Sequence, residues 1–361
     1  MPQPYLKRIL EDRVILNREE ARDLMQQILT GQFTDIELAA LLGAITARGE
    51  TPGELAGFVE AMRAAATPVP LNHQERSLLV DTCGTGGDSS GTFNISTAAA
   101  LVAAAAENAA GALHLVAKHG NRAVTSECGS ADVLEALGIP VALSPADAAA
   151  AIRTHRFAFL HAPALHPAIK AVMPVRRALG VRTVFNVLGP LTNPAGARAQ
   201  VMGVYAAHLV PIVAEAMRLL GVRHAYVVHG AIDATGSAQR GLDELSISGP
   251  TQLAEVYGNA ISFDTLAPEQ VGLRTAPLES LRGGAAAVNA AILRAIFAGE
   301  TGPRRDVVLL NAAAVLITAG AVPASPNLRH EAFRAAIELA ASTIDSGAVT
   351  ALVASLAVPR N

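Results

Sequence analysis

Through residues 1–66 the apolar positions fall three and four apart, the spacing of one buried helix face. Asn17-Arg18-Glu19-Glu20 has the form of a capping box, Leu24, Met25, Ile28 and Leu29 follow on one face, and Gly31 supplies a stop. A second helix is predicted from Thr34, burying Leu38, Leu41, Leu42 and Ile45. A third starts at Thr51-Pro52-Gly53-Glu54, where cap, first-turn proline and reciprocal glutamate stand in order. No side-chain cluster in this region suggests chemistry. It is expected to pack, to cover a site, or to associate with a second copy.

Ala66-Thr67-Pro68-Val69-Pro70 reads as a linker, and beyond it the pattern changes. Short apolar runs at 78–80, 113–117, 141–143, 157–160, 201–205 and 226–228 are predicted strands. Helices are predicted between them at about 95–107, 130–137, 145–153, 167–179 and 208–220, and later around 284–298, 306–319 and 330–344. That alternation predicts an α/β fold with a mostly parallel sheet, whose ligands bind beyond the carboxyl ends of the strands.

Composition narrows the partners. The chain has 361 residues, 51% of them hydrophobic and 16% charged, with a net charge of −3, so it has ample apolar chain for a large core. The acidic balance and the lack of an extended Lys/Arg run argue against nucleic acid or an acidic membrane as partner; Arg304-Arg305 and the scattered Arg176, Arg177 and Arg182 are short groups. Any anion site must be local. Cys83 and Cys128 form no metal or disulfide pattern and read as buried, inert thiols. The N-terminus lacks the apolar core of a signal peptide, and the alanine-rich stretches are broken by Glu107-Asn108 or Asn311, so a cytoplasmic protein is expected.

Four glycines occur in Gly84-Thr85-Gly86-Gly87-Asp88-Ser89-Ser90-Gly91, between the first predicted strand and a helix start at Asn94-Ile95-Ser96-Thr97. Glycine allows close backbone approach, and the following helix offers unpaired N–H groups at its positive end, so the segment predicts an anion cradle. It is neither a dinucleotide fingerprint, which would need glycine at Ser89, nor a P-loop, which would need lysine at Thr92. Asp88 has the wrong sign for phosphate and suits a hydroxyl, a bridging cation or an Asx-turn. Lys118-His119-Gly120-Asn121-Arg122 closes the next strand with two cations, an imidazole and an amide, Gly120 being expected to allow a tight turn. Ser130 is placed to cap the next helix while facing a phosphate. Asp243-Glu244 is either a solvated pair or a Mg²⁺ site completed by water and substrate phosphates.

These residues resemble the anthranilate phosphoribosyltransferase family. The resemblance is carried in family order by the glycine loop, Asn94–Thr97, Lys118–Arg122 and Gly129-Ser130-Ala131-Asp132. It continues through Val175-Arg176-Arg177, the run 185–194, Gly241-Leu242-Asp243-Glu244 and the run 305–311. It implies a nucleoside-phosphorylase-type phosphoribosyltransferase fold: a helical domain over 1–68, joined by part of 165–190, and an α/β domain over 69–361, paired as a homodimer through the helical domains. It implies Mg²⁺ and the substrates 5-phosphoribosyl 1-diphosphate (PRPP) and anthranilate. Carried over by motif, PRPP would be held by Gly84, Gly87, Asp88, Thr92, Asn94, Ile95, Ser96 and Thr97, by Lys118, His119, Gly120, Asn121, Arg122, Ala123, Val124, Thr125 and Ser126, and by Ser130. Gly84, Asn121 and Arg176 would meet anthranilate; Ser96, Asp243 and Glu244 would serve the metal. No general base is assigned, since an aromatic amine is already neutral at pH 7.

The sequence departs from the family pattern at three places: a longer loop over 230–240, a lengthened segment over 106–113, and Glu127-Cys128 where small or basic residues are expected. A pyrimidine nucleoside phosphorylase of the same architecture, or a non-catalytic nucleic-acid-binding relative, would be the alternatives.

Overall fold

The computed structural model describes residues 4–107, 113–123, 127–233, 235, 241–324 and 329–357. The N-terminal helices are α1 (Pro4–Leu10), α2 (Arg18–Leu29), α3 (Asp35–Arg48) and α4 (Pro52–Ala64), followed by the short α5 (His73–Ser77). Asn17, Thr34 and Thr51 cap α2, α3 and α4, each with the reciprocal glutamate bond of a capping box. Leu24, Met25, Ile28, Leu38, Leu41, Leu42 and Ile45 are all buried.

From there the chain alternates: β1 (Leu79–Gly84), α6 (Ile95–Ala105), β2 (Leu115–Gly120), α7 (Ser130–Leu137), α8 (Pro145–His155), β3 (Phe157–His161) and α9 (Ala162–Leu165). Next come α10 (Met173–Leu179), α11 (Phe185–Leu191), β4 (Ala199–Gly203), α12 (Leu209–Leu219), β5 (His224–Ala231) and β6 (Gly241–Leu242). The hairpin β7 (Thr251–Tyr257) and β8 (Ala260–Leu266) precedes the helices α13 (Ala286–Phe297), α14 (Pro303–Ala319), α15 (Arg329–Asp345) and α16 (Ala348–Leu356).

The sheet runs β3-β2-β1-β4-β5-β7-β8, with β6 beside β5. β1 to β5 are mutually parallel, and β6, β7 and β8 are antiparallel additions. Side chains alternate between the two faces. Val80, Val116, Phe157, Val201, Tyr226 and Val228 join a core with α6, α14 and α15. On the other face Met202, Val204, Ala225 and Val227 share a core with α12, with α2–α4, and with Val175, Val184, Phe185 and Leu188. The stretch 172–191 thus packs with the N-terminal helices.

Two predicted elements differ. Residues 141–143 form no strand; Val141 is buried as a loop residue beneath α7, so burial without pairing explains its apolar character. The predicted helix 167–179 breaks at Val172 into a 3₁₀ turn, Pro167–Ala171, and α10. An unbroken helix would put Pro174 in its interior, without an N–H and against the Lys170 carbonyl; the break leaves it in the first turn of α10. Among the described residues no single helix is long and apolar enough to cross a membrane.

Candidate active site

β1 and β2 pair only at Leu79 with Leu115 and Val80 with Val116, whereas β1 continues beside β4 as far as Gly84. Where the first pair parts, side chains take over the backbone groups. Asp81 accepts from the His119 N–H at 3.0 Å and from Asn193 Nδ2 at 2.8 Å, and the same Nδ2 donates to the Ala117 carbonyl at 2.8 Å. Lys118, fully buried, donates from Nζ to the Thr82 carbonyl at 2.6 Å and to Ser96 Oγ at 3.2 Å. The strand ends part here, and the Lys118 ammonium spans the gap between them.

The glycine loop leaves β1 at this point. Gly86 and Gly87 have φ of +69° and +75°, which favours glycine, and the Gly86 N–H donates to Asp243 Oδ2 at 2.6 Å. Asp88 turns the loop as an Asx-turn, accepting from the Ser90 N–H at 3.0 Å and hydroxyl at 2.9 Å. Its other oxygen accepts weakly from the Asp243 N–H at 3.4 Å. Glu244 accepts from the Ser96 N–H at 3.0 Å, at the first turn of α6. The acid pair is held from behind by Asn311 on α14, which accepts from the Leu245 N–H at 3.0 Å and donates to its carbonyl at 2.9 Å. In front, β4 approaches so closely that a Cβ at Gly203 would lie 1.5 Å from the Asp243 carbonyl oxygen. One chain of hydrogen bonds therefore links loop, acid pair, helix start and lysine.

Burial raises the Asp243 carboxyl well above the ordinary range, and the neighbouring Asp88 and Glu244 charges push it further. Burial also lifts Glu244 to about 7, although Lys118 and the Ser96 amide oppose the rise. Crowded carboxylates with an alcohol, all hard oxygen donors, fit Mg²⁺. Among the described residues no three acidic, histidine or cysteine side chains converge closely enough to hold a cation by themselves. The donor set thus suits an ion that arrives with further oxygens, as Mg²⁺ does with water and phosphate.

The other sequence-derived candidates divide. Thr97 donates to Ser130 Oγ at 3.1 Å, so these hydroxyls meet at the adjoining starts of α6 and α7. Ser130 is not the cap, however: Gly129 occupies that position, and Asp132 reaches back to its N–H at 2.8 Å. Asn94 precedes Ile95 at the start of α6 without capping it; its amide donates to the Cys128 carbonyl and accepts from Asn289. Thr92 bridges Arg282 at the loop's end. Gly120 has no left-handed φ; it is glycine for space, since a Cβ there would lie 2.9 Å from Phe159. Asn121 is exposed and accepts from the Arg122 N–H at 2.7 Å. The Arg122 guanidinium turns to Asp132 and Glu135, which also hold the Ala123 turn through Asp132, so it is committed to these carboxylates. His119 follows Lys118 in the strand and points to the opposite face, 5.1 Å from the His166 ring. Burial drives His119 to about 3 and His166 to about 4, so both are neutral. Arg176 lies over the Phe185 ring at 5.3 Å. Glu127 is exposed. Val124, Thr125 and Ser126 lie outside the described residues, as do parts of the 106–113 and 230–240 segments.

Sequence reasoning missed Asp81 and Asn289 and the roles of Asn193 and Asn311. Arg182 reads in the sequence only as a scattered cation, yet it donates to the Gly87 carbonyl.

Such an arrangement suits a polyanion carried with a cation, and both halves of the chain match one enzyme class. Residues 3–66 match the glycosyl transferase family, helical bundle domain, and residues 76–350 match the glycosyl transferase family, a/b domain. A relative from Solibacter usitatus (strain Ellin6076), named anthranilate phosphoribosyltransferase, is 47% identical over 354 residues, 98% of this chain and 97% of its own. The crystal structure of anthranilate phosphoribosyltransferase from Thermus thermophilus is similar with a TM-score of 0.86 at 41% identity, covering 98% of each chain. That of the Saccharomyces cerevisiae enzyme, in complex with PRPP and Mg, gives 0.84 at 26% identity, covering 98% of this chain and 96% of the other. The chain belongs to the anthranilate phosphoribosyltransferase family.

Proposed function

We propose that this chain transfers the 5-phosphoribosyl group of PRPP to the amine of anthranilate, giving N-(5-phosphoribosyl)anthranilate and diphosphate, a step of tryptophan biosynthesis. The observation that carries this reading is the hydrogen-bonded run from Gly86 through Asp243 and Glu244 to Ser96 and Lys118. It gathers loop amides, a helix N-terminus, an ammonium and an acid pair at one place.

The diphosphate lies at the Gly87 turn of the loop and the start of α6, with Lys118 facing its developing charge. Ser96, Asp243 and Glu244 would hold Mg²⁺ beside the diphosphate, where the ion would supply positive charge to neutralise the leaving group. Asp88, whose second oxygen is held only by the long bond from the Asp243 N–H, would accept from a ribose hydroxyl. The C1–O bond breaks with its electron pair passing to diphosphate, and the amine lone pair forms the new C1–N bond on the opposite face. The amine proton is then lost to solvent. Positioning and electrostatics supply the rate, and His119, buried and neutral with a pKa near 3, is a poor proton acceptor at neutral pH. Arg176 offers its cation to the anthranilate carboxylate, with Gly84 and Asn121 along the same path. The protein works in the cytoplasm as a homodimer joined through its N-terminal helices.

The test is loss of anthranilate fluorescence on adding PRPP, with and without Mg²⁺. Turnover that requires both supports the reading. Phosphate-dependent release of a base from uridine or thymidine, with anthranilate untouched, would overturn it.

A further inference from the structure

An anion cradle made of backbone has a built-in difficulty, because each peptide unit that offers an N–H also carries a carbonyl oxygen. In a loop this short, a carbonyl facing the cleft would repel the same phosphate that the amides attract. Gly87 stands where this matters, between the Gly86 amide and Asp88.

Its carbonyl is taken by Arg182. The guanidinium donates to the Gly87 oxygen and covers the glycine so closely that a Cβ there would lie 3.4 Å from Nε. It also lies over the Tyr205 ring, 4.5 Å from the centroid. Tyr205 is tied to the loop independently: its N–H donates to Thr85 Oγ1 at 3.0 Å, and the Thr85 N–H donates to the Gly203 carbonyl at 3.0 Å. Thr85, Tyr205, Arg182 and Gly87 thus form a closed circuit around the loop. The base of Arg182 is fixed as well, between the left-handed Gly180 and the Thr183 N–H, which donates to Asn186 Oδ1 at 3.0 Å.

We infer that Arg182 is a positioning residue for the phosphoribosyl donor. It acts through Gly87, turning that carbonyl outward and holding the Gly87 turn toward the anion, with Tyr205 as the plate that keeps the guanidinium in place. It reaches the loop from the segment between α10 and α11, which packs with the N-terminal helices. The inference rests on the phosphoribosyl-transfer reading and names a residue through which the helical side of the cleft shapes the donor site.

Arg182 is exposed, so its variants should fold. Steady-state kinetics at saturating Mg²⁺ would compare wild type with Arg182→Lys, Arg182→Met, Tyr205→Leu and the Arg182→Met/Tyr205→Leu double variant. Losing a charge-assisted hydrogen bond should raise the KM for PRPP about tenfold in Arg182→Met, with the anthranilate KM unchanged. Arg182→Lys should be impaired alike, because an ammonium does not reproduce the planar fork that stacks and donates together. Tyr205→Leu should raise the same parameter, and the double variant should be no worse than Arg182→Met alone. A wild-type KM in Arg182→Lys would show that charge alone matters and would overturn the proposal. So would equal rises in both KM values, or effects that simply add. If the wild type does not turn over, it is the parent reading that fails; calorimetric PRPP titration of the same variants then decides the loop question separately.

Discussion

Asp81 is a fully buried carboxylate whose bonds from Asn193 and His119 only partly compensate for its loss of water, so it titrates at about 6. In the unfolded chain an aspartate titrates near 4, so the native state is the one that binds this proton more tightly. The resulting stabilisation is complete below about pH 4 and is lost as pH rises through 6, a contribution of about 3 kcal/mol by linkage. Asp81→Asn should flatten that part of the profile, read from urea unfolding between about pH 4 and pH 6. Asp243 and Glu244, which burial also raises, contribute in the same direction. Equal slopes in variant and wild type would refute the assignment. Lys118 is the second buried charge at these strand ends. Lys118→Met should lower kcat/KM for PRPP about 10²–10³-fold, the usual cost of losing a preorganised electrostatic contact. A kinetic constant within threefold of wild type would argue against its place opposite the diphosphate.

At the scale of elements, the glycine at the end of β4 decides whether the acid pair can sit where it does. Gly203→Ala would drive a methyl group into the Asp243 backbone. It should cost about 1–3 kcal/mol of stability as overpacking and abolish turnover, seen as a lower urea midpoint with activity lost even at saturating PRPP. Retained activity would mean that the Asp243 turn has room to move. The pieces of the site that lie on one element were legible in the chain: the glycine loop, the Asn94 helix start and the Lys118 strand end announce themselves through composition and order. The pieces that act across elements were not. Thr82 enters only through its carbonyl, and Asn193 and Asn311 are ordinary asparagines until folding brings unpaired backbone to them. Arg122 looked like an anion ligand because Asp132 and Glu135, ten and thirteen residues away, gave no sign of facing it. The hairpin of β7 and β8 did carry a signal, the Gly258-Asn259 turn, but neither β7, interrupted by Gln252 and Glu255, nor the largely exposed β8 has the apolar run by which β1 to β5 are recognised.

For the whole molecule, ligand and metal should behave as one unit. The acid pair lacks a third converging acidic, histidine or cysteine side chain among the described residues, so Mg²⁺ alone should shift Tm very little. PRPP with Mg²⁺ should raise it clearly, since saturation at a hundred times Kd adds about 2.7 kcal/mol. Differential scanning fluorimetry with each component alone and then together would measure this. A large shift from Mg²⁺ alone would mean that the protein supplies a complete ion cage before substrate arrives.

Two neighbouring strands, left to themselves, would zip together along their whole length. Here β1 and β2 pair at two positions and then separate, with Asp81, Asn193 and Lys118 occupying the backbone atoms that further rungs would have used. Secondary structure and catalysis are therefore rivals for the same few amides and carbonyls. Substitutions that let the seam close would make a sturdier sheet and an inert protein, so a gain in thermal tolerance at these positions should be read as a warning of lost chemistry.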